Sequence, residues 1–470
     1  MNGSDEREAP QPPTSIFGTD GVRDRPGTGY LEERAVRRIA AAAAEAAGRS
    51  SEFREDFPRG PGRLVVVGRD TRASGPALVG TLAEAFLSLG WDVADAGVLP
   101  SPGVARLASL WDGVAFAVVV SASHNPADYN GIKFFAPTGA KVSPAFELAV
   151  SEAFWRGGGP RPARRPGRLS DRAEEAFEMY VRSLVSACRR PERLRGRTVC
   201  VDGANGAAFR AGPETFRRLG LRVREIACEP DGSNINLGCG ALHPEAVASS
   251  VRDQRSDFGF SFDGDGDRAI AVAASGKILD GDHMLFLAGK SYLREGRLPR
   301  RTVVATVMSN LGLEVALRER GIALERTEVG DRAVYLAMVR GGHPVGGEQS
   351  GHLIFLDRAR TGDGLLSAVS CLDMLEGDAL DLEGETAALR RCPQVLRNVP
   401  IPGRPALDSL PEVAEALGRA RAALGPDGRV LLRYSGTEPV LRVMVEGADR
   451  DLVEEIGAAL CESVRKSLPG

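Results

Sequence analysis

The sequence predicts an α/β protein with three similar α/β domains, each on a mixed, mainly parallel sheet, and a C-terminal α+β domain, all around a central cleft. The chain has 470 residues, and domains of about 100 to 150 residues suggest three or four units. Strand patterns alternate with helical patterns of about 10 to 15 residues, which favours crossover connections and parallel strands. Near the C-terminus this alternation stops, which indicates a different last domain.

The first unit shows the alternation most clearly. Helical patterns at residues 31–47 and 76–89 accompany strand patterns at residues 63–67 and 92–96. The run at residues 115–120 is apolar throughout, which fits a buried strand. These elements predict a mainly parallel sheet with crossover helices.

The alternation restarts after residues 156–170, which are dense in Gly, Pro and Arg and predict a loop near a domain boundary. Strand patterns at residues 198–201 and 258–262 belong to the second unit. A strand at residues 302–305 and a helix at residues 311–318 belong to the third, which is expected to begin near Lys277.

The fourth unit differs from the other three. Strands at residues 430–433 and 440–446 flank a turn, and one face of the final helix is apolar. The residues of that face are Leu452, Val453, Ile456, Leu460 and Val464. This pattern predicts the smaller α+β domain.

The composition excludes several classes of protein. A net charge of -3 lacks the basic footprint of a nucleic-acid binder, and no apolar run approaches the roughly 20 residues of a membrane helix. Residues 1–15 are polar and lack a signal peptide's apolar segment, so we expect a disordered extension and a cytoplasmic protein. Seven scattered cysteines without a C-x-x-C pair predict reduced, mostly buried thiols.

Lysine is rare in this chain. Of the 60 basic residues, five are lysines: Lys133, Lys141, Lys277, Lys290 and Lys466. An amine can lose its proton near neutral pH, whereas a guanidinium cannot. A lysine inside a motif is therefore a candidate for chemistry, although the nucleotide composition of the genome would also explain the bias.

Four polar loops carry the candidate functional residues, and because ligands bind at the carboxyl ends of strands we expect them to converge on one cleft. The first is Ser121-Ala-Ser-His-Asn-Pro126, directly after the apolar strand. Ser123 is the candidate nucleophile, which needs a base or a metal to assist it. His124 can orient its hydroxyl, and Lys133 can relay a proton or offset phosphate charge. A capped turn is the alternative interpretation.

The second loop is Asp263-Gly-Asp-Gly-Asp267-Arg268. Three carboxylates at alternating positions suit a hard cation with oxygen ligands, and their mutual repulsion is costly without one. A calcium EF-hand fails because its twelfth position, normally Glu, is Ser275. A HAD-type phosphatase is excluded because the motif around its nucleophilic Asp ends in Thr or Val, whereas this loop ends in Asp267-Arg268. A solvated acidic turn remains as the alternative.

The third and fourth loops offer groups for a sugar and an anion. Gly346-Gly-Glu-Gln-Ser-Gly-His352 presents Glu348 and Ser350 for hydrogen bonds to sugar hydroxyls or an amine, although a simple loop is equally compatible. Arg433-Tyr-Ser-Gly-Thr-Glu-Pro439, with Arg442 on the next strand, combines arginines, hydroxyls and backbone N–H groups into an anion nest. A surface hairpin with solvated arginines is the alternative.

Together with Phe17-Gly-Thr-Asp-Gly-Val-Arg23, these four loops, in this order and at this spacing, resemble the α-D-phosphohexomutase superfamily. The resemblance extends to Glu446, nearly the whole chain. It implies an isomerase that moves a phosphoryl group between two positions of a sugar phosphate. The implied partner is that small molecule, without nucleic acid or membrane, and the implied state is a monomer or homodimer.

The resemblance also implies a role for each candidate residue. Ser123 is phosphorylated in the resting enzyme, and a bisphosphate intermediate turns around so that its opposite phosphate can return to Ser123. One Mg²⁺ per chain is held by Ser123, Asp263, Asp265 and Asp267, with Arg268 contacting the phosphoserine. Arg23, His124 and Lys133 are catalytic candidates; Glu348, Ser350 and His352 bind the sugar; Arg433, Ser435, Gly436, Thr437 and Arg442 bind the distal phosphate.

The implied substrate depends on a few positions. Gln349 stands where phosphomannomutases and phosphoglucomutases usually have Met, and Met308-Ser-Asn-Leu-Gly312 and Thr361-Gly-Asp-Gly364 agree with it. The resemblance therefore favours interconversion of glucosamine 6-phosphate and glucosamine 1-phosphate, which supplies UDP-N-acetylglucosamine synthesis. Asp128-Tyr-Asn-Gly131 and Cys239-Gly-Ala-Leu-His243 depart from that pattern. Phosphoglucomutase or phosphomannomutase activity, or a non-catalytic sugar-phosphate-binding paralogue, are the alternatives.

The chain is thus divided into five segments. They are an N-terminal extension (1–15), a phosphoserine domain (16–165), a metal-binding domain (166–275), a sugar-binding domain (276–386) and a phosphate-binding domain (387–470). Each of the last four contains one of the four loops.

Overall fold

The computed structural model describes residues 15–49, 56–57, 62–435 and 439–468. Within these ranges the chain forms four sheets, of six, five, four and three strands. The first three sheets are mixed and the fourth is antiparallel, which confirms the predicted fold class. Residues 1–14 of the predicted extension lie outside the described residues.

The first sheet contains the strand that leads to Ser123. Its strands are Val22–Asp24 (β1), Leu64–Arg69 (β2), Asp92–Val98 (β3), Val114–Val120 (β4), Asn130–Phe135 (β5) and Leu169–Asp171 (β6). They lie in the order β1-β5-β4-β2-β3-β6, with β4, β2, β3 and β6 parallel. The helices are Glu33–Gly48 (α1), Gly75–Ser88 (α2), Ser101–Leu110 (α3), Pro144–Arg156 (α4) and Ala173–Ala187 (α5). Every residue of β4 is buried, as predicted.

Strand β6 corrects the prediction of a loop throughout residues 156–170. Leu169 and Ser170 pair in parallel with Val93 and Ala94, and the N–H of Val93 donates to the carbonyl of Arg168 at 2.9 Å. Composition could not predict this strand, because main-chain hydrogen bonds to the edge of the sheet, and not its side chains, hold it in an extended conformation.

The second sheet places the acidic loop in a hairpin. Its strands are Thr198–Asp202 (β7), Arg222–Ile226 (β8), Phe258–Phe262 (β9), Ala269–Ala273 (β10) and Ile278–Leu279 (β11), with helices Ala208–Arg218 (α6) and Glu245–Asp253 (α7). The strand order is β11-β10-β9-β7-β8. Phe262 pairs with Ala269 across antiparallel strands, so Asp263 to Arg268 form the connection. Strand β11 lies beyond residue 275, where the sugar-binding domain is predicted to begin, yet it pairs with β10 of this sheet.

The third sheet holds the glycine-rich loop in the same way. Its elements are Gly281–Arg294 (α8), Thr302–Thr306 (β12), Leu311–Arg318 (α9), Ala323–Thr327 (β13), Asp331–Gly341 (α10), Val345–Gly347 (β14), Leu353–Phe355 (β15), Gly364–Met374 (α11) and Leu382–Thr386 (α12). The strand order is β13-β12-β14-β15. Gly347 pairs with Leu353 across antiparallel strands, so the loop with Glu348 joins two strands.

The C-terminal domain is a three-stranded antiparallel sheet covered by two helices. Its elements are Gln394–Pro400 (β16), Pro411–Leu424 (α13), Arg429–Tyr434 (β17), Val440–Glu446 (β18) and Arg450–Ser467 (α14), with strand order β16-β18-β17. Four of the five predicted apolar residues of α14 are buried, and Leu452 is half-buried.

The first three domains share one continuous apolar core, whereas the C-terminal domain has its own. All seven cysteines lie within the described ranges as thiols outside any disulfide, and five of them are buried. In the described ranges, no helix combines the length and the apolarity needed to cross a membrane.

Candidate active site

Ser123 lies in a strained turn at the end of β4. Its φ angle is +53°, a left-handed conformation that is unfavourable for any residue except glycine. Hydrogen bonds fix both of its main-chain groups: the N–H donates to the Ser121 hydroxyl at 3.0 Å, and Asn236 Nδ2 donates to its carbonyl at 2.9 Å. Its side chain donates to Asp263 Oδ2 at 2.7 Å and lies 3.3 Å from His124 Nδ1. The turn thus aims a buried hydroxyl at the acidic loop.

A buried arginine, Arg72, supports this turn through hydrogen bonds to main-chain carbonyls. Its guanidinium donates to the carbonyls of Ser123 at 2.9 Å and Asn125 at 2.8 Å, and also to those of Pro126 and Tyr129. Asp70 neutralises it at 2.9 Å, and both side chains are fully buried. Asp70 also accepts a hydrogen bond from the Ser121 hydroxyl at 2.5 Å. One ion pair therefore positions most of the serine loop.

The three aspartates of the second loop are brought together and buried. One carboxylate oxygen from each of Asp263, Asp265 and Asp267 lies within 4.8 Å of the others. A Cβ on Gly264 would approach the Ser123 carbonyl to 2.4 Å, so only glycine permits this contact between the two loops. Oδ1 atoms of Asp265 and Asp267 are buried and accept no hydrogen bond from any described residue.

This donor set fits Mg²⁺, because hard divalent cations prefer carboxylate and hydroxyl oxygens. The buried, unpartnered oxygens and the neighbouring Ser123 hydroxyl supply such ligands. Burial and the charges of Asp267 and Asp265 raise the pKa of Asp263 well above its usual value. A cation at this position would remove that repulsion.

An alternating chain of buried and half-buried charges extends from the acidic loop across the domains. Lys133 Nζ lies 2.8 Å from Asp265 and 2.6 Å from Asp20. Lys141 Nζ lies 2.5 Å from Asp20 and 2.6 Å from Asp331 of the third domain. Burial lowers the pKa of both lysines, but the carboxylates override it and raise both pKa values above their usual range. Both lysines therefore hold a positive charge in this arrangement, which suits Lys133 for offsetting phosphate charge, and its role as a proton relay stays a prediction.

The central cleft encloses about 470 Å³, within the range of small-molecule sites. It is lined by residues of the first three domains, including seven of the sixteen sequence-predicted site residues. From that set, the lining contains Arg23, His124, Asp267, Arg268, Glu348, Ser350 and His352. Ser123, Asp263, Asp265 and Lys133 lie buried at its base. Three of the four loops thus converge as expected.

The two histidines of the cleft have opposite electrostatic environments. Burial, Arg268 and Arg23 lower the pKa of His124 to about 4, so its ring is neutral at pH 7. Burial also lowers the pKa of His352, but Asp267 and Asp331 raise it to about 9. The Gly362 N–H donates to His352 Nε2 at 3.2 Å, a contact that suits the neutral ring, and a cation beside Asp267 would favour that form.

The glycine-rich loop presents polar groups to the cleft from a fixed backbone. Glu348 Oε1 accepts the Gly330 N–H at 3.2 Å, and the Gly281 N–H donates to the Gln349 carbonyl at 3.0 Å. The Gln349 Nε2 is buried and donates to no described residue. Ser350 is exposed to solvent. An amide donor and a carboxylate are therefore available to a sugar.

No described residue of the fourth loop lines this cavity. Arg433 and Arg442 are directly opposite each other on β17 and β18, and like charges in such positions repel. The pKa of Arg433 is lowered by burial and by the charge of Arg442, and Glu328 offsets only part of this effect. Glu328 precedes Val329, which lines the cleft. Ser435 is buried and its hydroxyl lies 3.5 Å from Arg442. Gly436 and Thr437 lie outside the described residues.

Buried polar contacts tie the C-terminal domain to the third domain. Arg429 pairs with Glu446 at 2.8 Å through Nε and donates to the carbonyls of Val307 and Ser309. Asn310 Nδ2 donates to Glu446 at 3.1 Å. The C-terminal domain is therefore attached, through the start of β17 and the end of β18, to the segment that follows β12.

Sequence reasoning missed several residues that support the site. They are Asp20, Asp70, Arg72, Ser101, Lys141, Asn236 and Asp331. The rarity of lysine pointed to Lys141 without giving it a role. The others act through contacts between residues far apart in the chain, for which one sequence carries no signal.

Comparison with known families gives a match to four successive family profiles. They describe the phosphoglucomutase/phosphomannomutase alpha/beta/alpha domain I at residues 14–158, domain II at 178–276, domain III at 280–389 and the C-terminal domain at 396–463. The profiles therefore match most of the chain in the order of its four domains.

Curated relatives match along the full chain. The phosphoglucosamine mutase of Symbiobacterium thermophilum is 42% identical, over 96% of this chain and 99% of its own length. That of Anaeromyxobacter sp. is 41% identical, over 96% of each chain. That of Mycobacterium marinum is 41% identical, over 96% of this chain and 98% of its own length.

Solved structures share the fold. A phosphoglucomutase/phosphomannomutase family protein from Burkholderia thailandensis has a TM-score of 0.79 at 26% identity, covering 97% of this chain and 98% of that one. Aspergillus fumigatus N-acetylphosphoglucosamine mutase, solved with GlcNAc-6P and magnesium, has a TM-score of 0.67 over 96% and 95% of the chains. At 17% identity, the second shows a common fold alone.

Proposed function

The chain belongs to the phosphoglucomutase/phosphomannomutase family, and on this basis we propose that it interconverts glucosamine 6-phosphate and glucosamine 1-phosphate in the cytoplasm. The observation that carries the reaction type is the Ser123 hydroxyl, 2.7 Å from Asp263 within a cluster of three buried carboxylates. A serine placed in this way suits phosphoryl transfer, in which positioning and charge stabilisation supply most of the catalysis. The product would supply UDP-N-acetylglucosamine synthesis.

Two features support glucosamine as the sugar. Relatives that are 38–42% identical over 94–97% of this chain carry the name phosphoglucosamine mutase. Gln349 also lines the cleft, where its buried, unpartnered amide offers a donor. The two stretches that depart from the glucosamine pattern, 128–131 and 239–243, do not line the cleft. Their departure therefore carries no argument about the sugar.

Ser123 carries the phosphoryl group in this proposal. In the first half-reaction a sugar hydroxyl oxygen bonds to phosphorus while the bond between phosphorus and the Ser123 oxygen breaks. Neutral His124 accepts the hydroxyl proton and passes it to the departing Ser123 oxygen, which lies 3.3 Å from its Nδ1. After the bisphosphate has turned around, the Ser123 oxygen takes the other phosphate, and its proton returns through His124 to the departing sugar oxygen. Lys133 and Arg268 hold positive charge beside the transferring group.

Asp263, Asp265, Asp267 and the Ser123 oxygen would hold the Mg²⁺, which would supply Lewis-acid stabilisation of the phosphoryl oxygens. Arg23 faces the cleft and is oriented by Asp20 at 2.6 Å, so it contacts a sugar phosphate there. The proposed anchor for the second phosphate comprises Arg433, Ser435 and Arg442.

A substrate panel tests the proposed function. Coupled assays with the 1- and 6-phosphates of glucosamine, glucose and mannose should give the highest kcat/KM for glucosamine. A higher kcat/KM for glucose or mannose would establish phosphoglucomutase or phosphomannomutase activity instead. Intact-mass measurement should show one phosphate on the purified protein, and a protein that is never phosphorylated during turnover contradicts the Ser123 mechanism.

Metal dependence is tested with Asp265→Asn. Chelation should abolish wild-type activity, and Mg²⁺ should restore it. The substitution removes one ligand charge, and we expect turnover to fall about a hundredfold or more. Restored activity at the wild-type Mg²⁺ concentration in this variant would contradict the assignment.

A further inference from the structure

A second cavity of about 250 Å³ lies between the first and third domains and shares no lining residue with the central cleft. Three arginines line it. Arg106 comes from α3, and Arg358 and Arg360 come from the segment between β15 and α11. Two aspartates, Asp357 and Asp363, complete its charged lining.

The three arginines are bound only by neutral acceptors. Arg106 Nη1 donates to the carbonyl of Arg358 at 2.7 Å. Arg358 donates to the Ser370 hydroxyl at 3.0 Å and to a main-chain carbonyl, and Arg360 donates to the Tyr335 hydroxyl at 3.3 Å. Over the described part of the chain, no carboxylate forms an ion pair with any of the three. Within that part of the chain the three charges therefore lack a direct ion-pair partner, although Arg106 acts on Asp363, whose pKa is raised by burial and lowered by the charge of Arg106.

The Nε of Arg106 strengthens this observation. It is buried and has no hydrogen-bond partner among the residues that the structure describes. A buried donor without an acceptor is costly, and native proteins rarely leave one unpaired. In a residue that lines a cavity, such a donor suits an acceptor supplied by a ligand.

Both aspartates of the lining are already engaged. Asp357 pairs with Arg297 and accepts the Tyr292 hydroxyl at 2.9 Å. Asp363 Oδ1 accepts the Tyr180 hydroxyl and the Leu366 N–H, each at 2.9 Å. Positive charge is consequently in excess at the cavity.

We propose that this cavity is a binding site for a small, multiply charged oxyanion, such as the phosphate of a phosphorylated metabolite, held by Arg106, Arg358 and Arg360. The planar guanidinium binds phosphate oxygens in a bidentate manner. Arginines from two domains converge on the anion, so it also bridges the first and third domains. The site is separate from the cleft and does not depend on the proposed mutase reaction.

Isothermal titration calorimetry with inorganic phosphate tests this proposal. The double variant Arg106→Gln/Arg360→Gln should lose one binding site per chain, or bind there at least about tenfold more weakly. Arg182→Gln/Arg340→Gln is the charge-matched control, because these side chains are 77% and 78% exposed and lie outside the cavity. An unchanged titration in the first variant, or an equal loss in the control, overturns the proposal.

Two additions separate this site from phosphate binding in the cleft and from misfolding. The comparison is repeated in an Arg433→Gln/Arg442→Gln background, where the difference between the two double variants should persist. Arg360→Gln alone alters only an exposed side chain and should weaken phosphate binding by itself. Wild-type affinity in this single variant, with a native circular dichroism spectrum, also overturns the proposal.

Discussion

The base of the cleft and the anion nest of the C-terminal domain are held in different ways. Ser123 and Asp263 are buried, and a fully buried ion pair together with Asn236 fixes the serine loop. Arg433 and Arg442 are half-buried and face each other as like charges across two strands. In the proposed mechanism, the protein itself supplies the order where bonds change, and the ligand completes the arrangement where a phosphate is anchored.

The largest effect is expected from Ser123→Ala, which removes the group that carries chemistry at the base of the cleft. Turnover should fall at least about a thousandfold, measured in the coupled assay, and the phosphate should disappear from the intact mass. Ser350→Ala, at an exposed position of the cleft, should keep the phosphate. Near-normal turnover of Ser123→Ala would contradict the proposal that the chemistry depends on the base of the cleft.

The next largest effect concerns the support of the serine loop. Arg72→Met leaves Asp70 buried without a partner and frees carbonyls of the loop, so the free energy of unfolding should fall by about 3–5 kcal/mol. Urea denaturation measures it. The double variant Asp70→Asn/Arg72→Met should recover part of the loss, because no unpaired charge remains. An Arg72→Met protein of wild-type stability would show that the loop needs no such support.

A smaller effect is expected in the anion nest, and it should fall on binding alone. Arg433→Gln removes a charged hydrogen bond to the distal phosphate, worth about 1.5–3 kcal/mol, so KM should rise about 10- to 100-fold. The melting temperature should not fall, because Arg433 has no ion pair in the described structure and its replacement relieves the repulsion with Arg442. Arg397→Gln, on β16 of the same sheet and paired with Glu454 at 2.7 Å, should leave KM unchanged. A fall in kcat without a rise in KM would show that Arg433 acts on the chemical step and not on phosphate binding alone.

The sequence predicts most of the fold because local patterns determine it. The apolar run before Ser121 becomes a wholly buried strand, and the helix predicted at 311–318 has those bounds. Strand β6 was missed because its pairing partner, β3, lies far away in the chain. Local composition cannot report which sheet edge a short segment will join.

For the candidate site too, the sequence predicts only what local patterns determine. The carboxylates at 263, 265 and 267 were predicted from alternation alone, since a turn brings neighbours together, and they are the acidic cluster found. Arg72 and Asp331 were not predicted, because each acts on a residue more than 50 positions away. One sequence records such a contact only as two separate charged residues.

The smallest effect, and the last test of the comparison, is the response to salt. The Debye length falls from about 10 Å at 0.1 M to about 3 Å at 1 M, and exposed charges are screened far more than buried ones. Attraction between the half-buried nest and a substrate phosphate should weaken by about 1 kcal/mol or less, so KM should rise up to about fivefold across this range. The buried charges around Ser123 are shielded from ions, so kcat should hold within about twofold. Arg433→Gln should make KM nearly independent of salt. A larger change in kcat than in KM would show that the salt-sensitive charges lie at the base of the cleft and not in the anion nest.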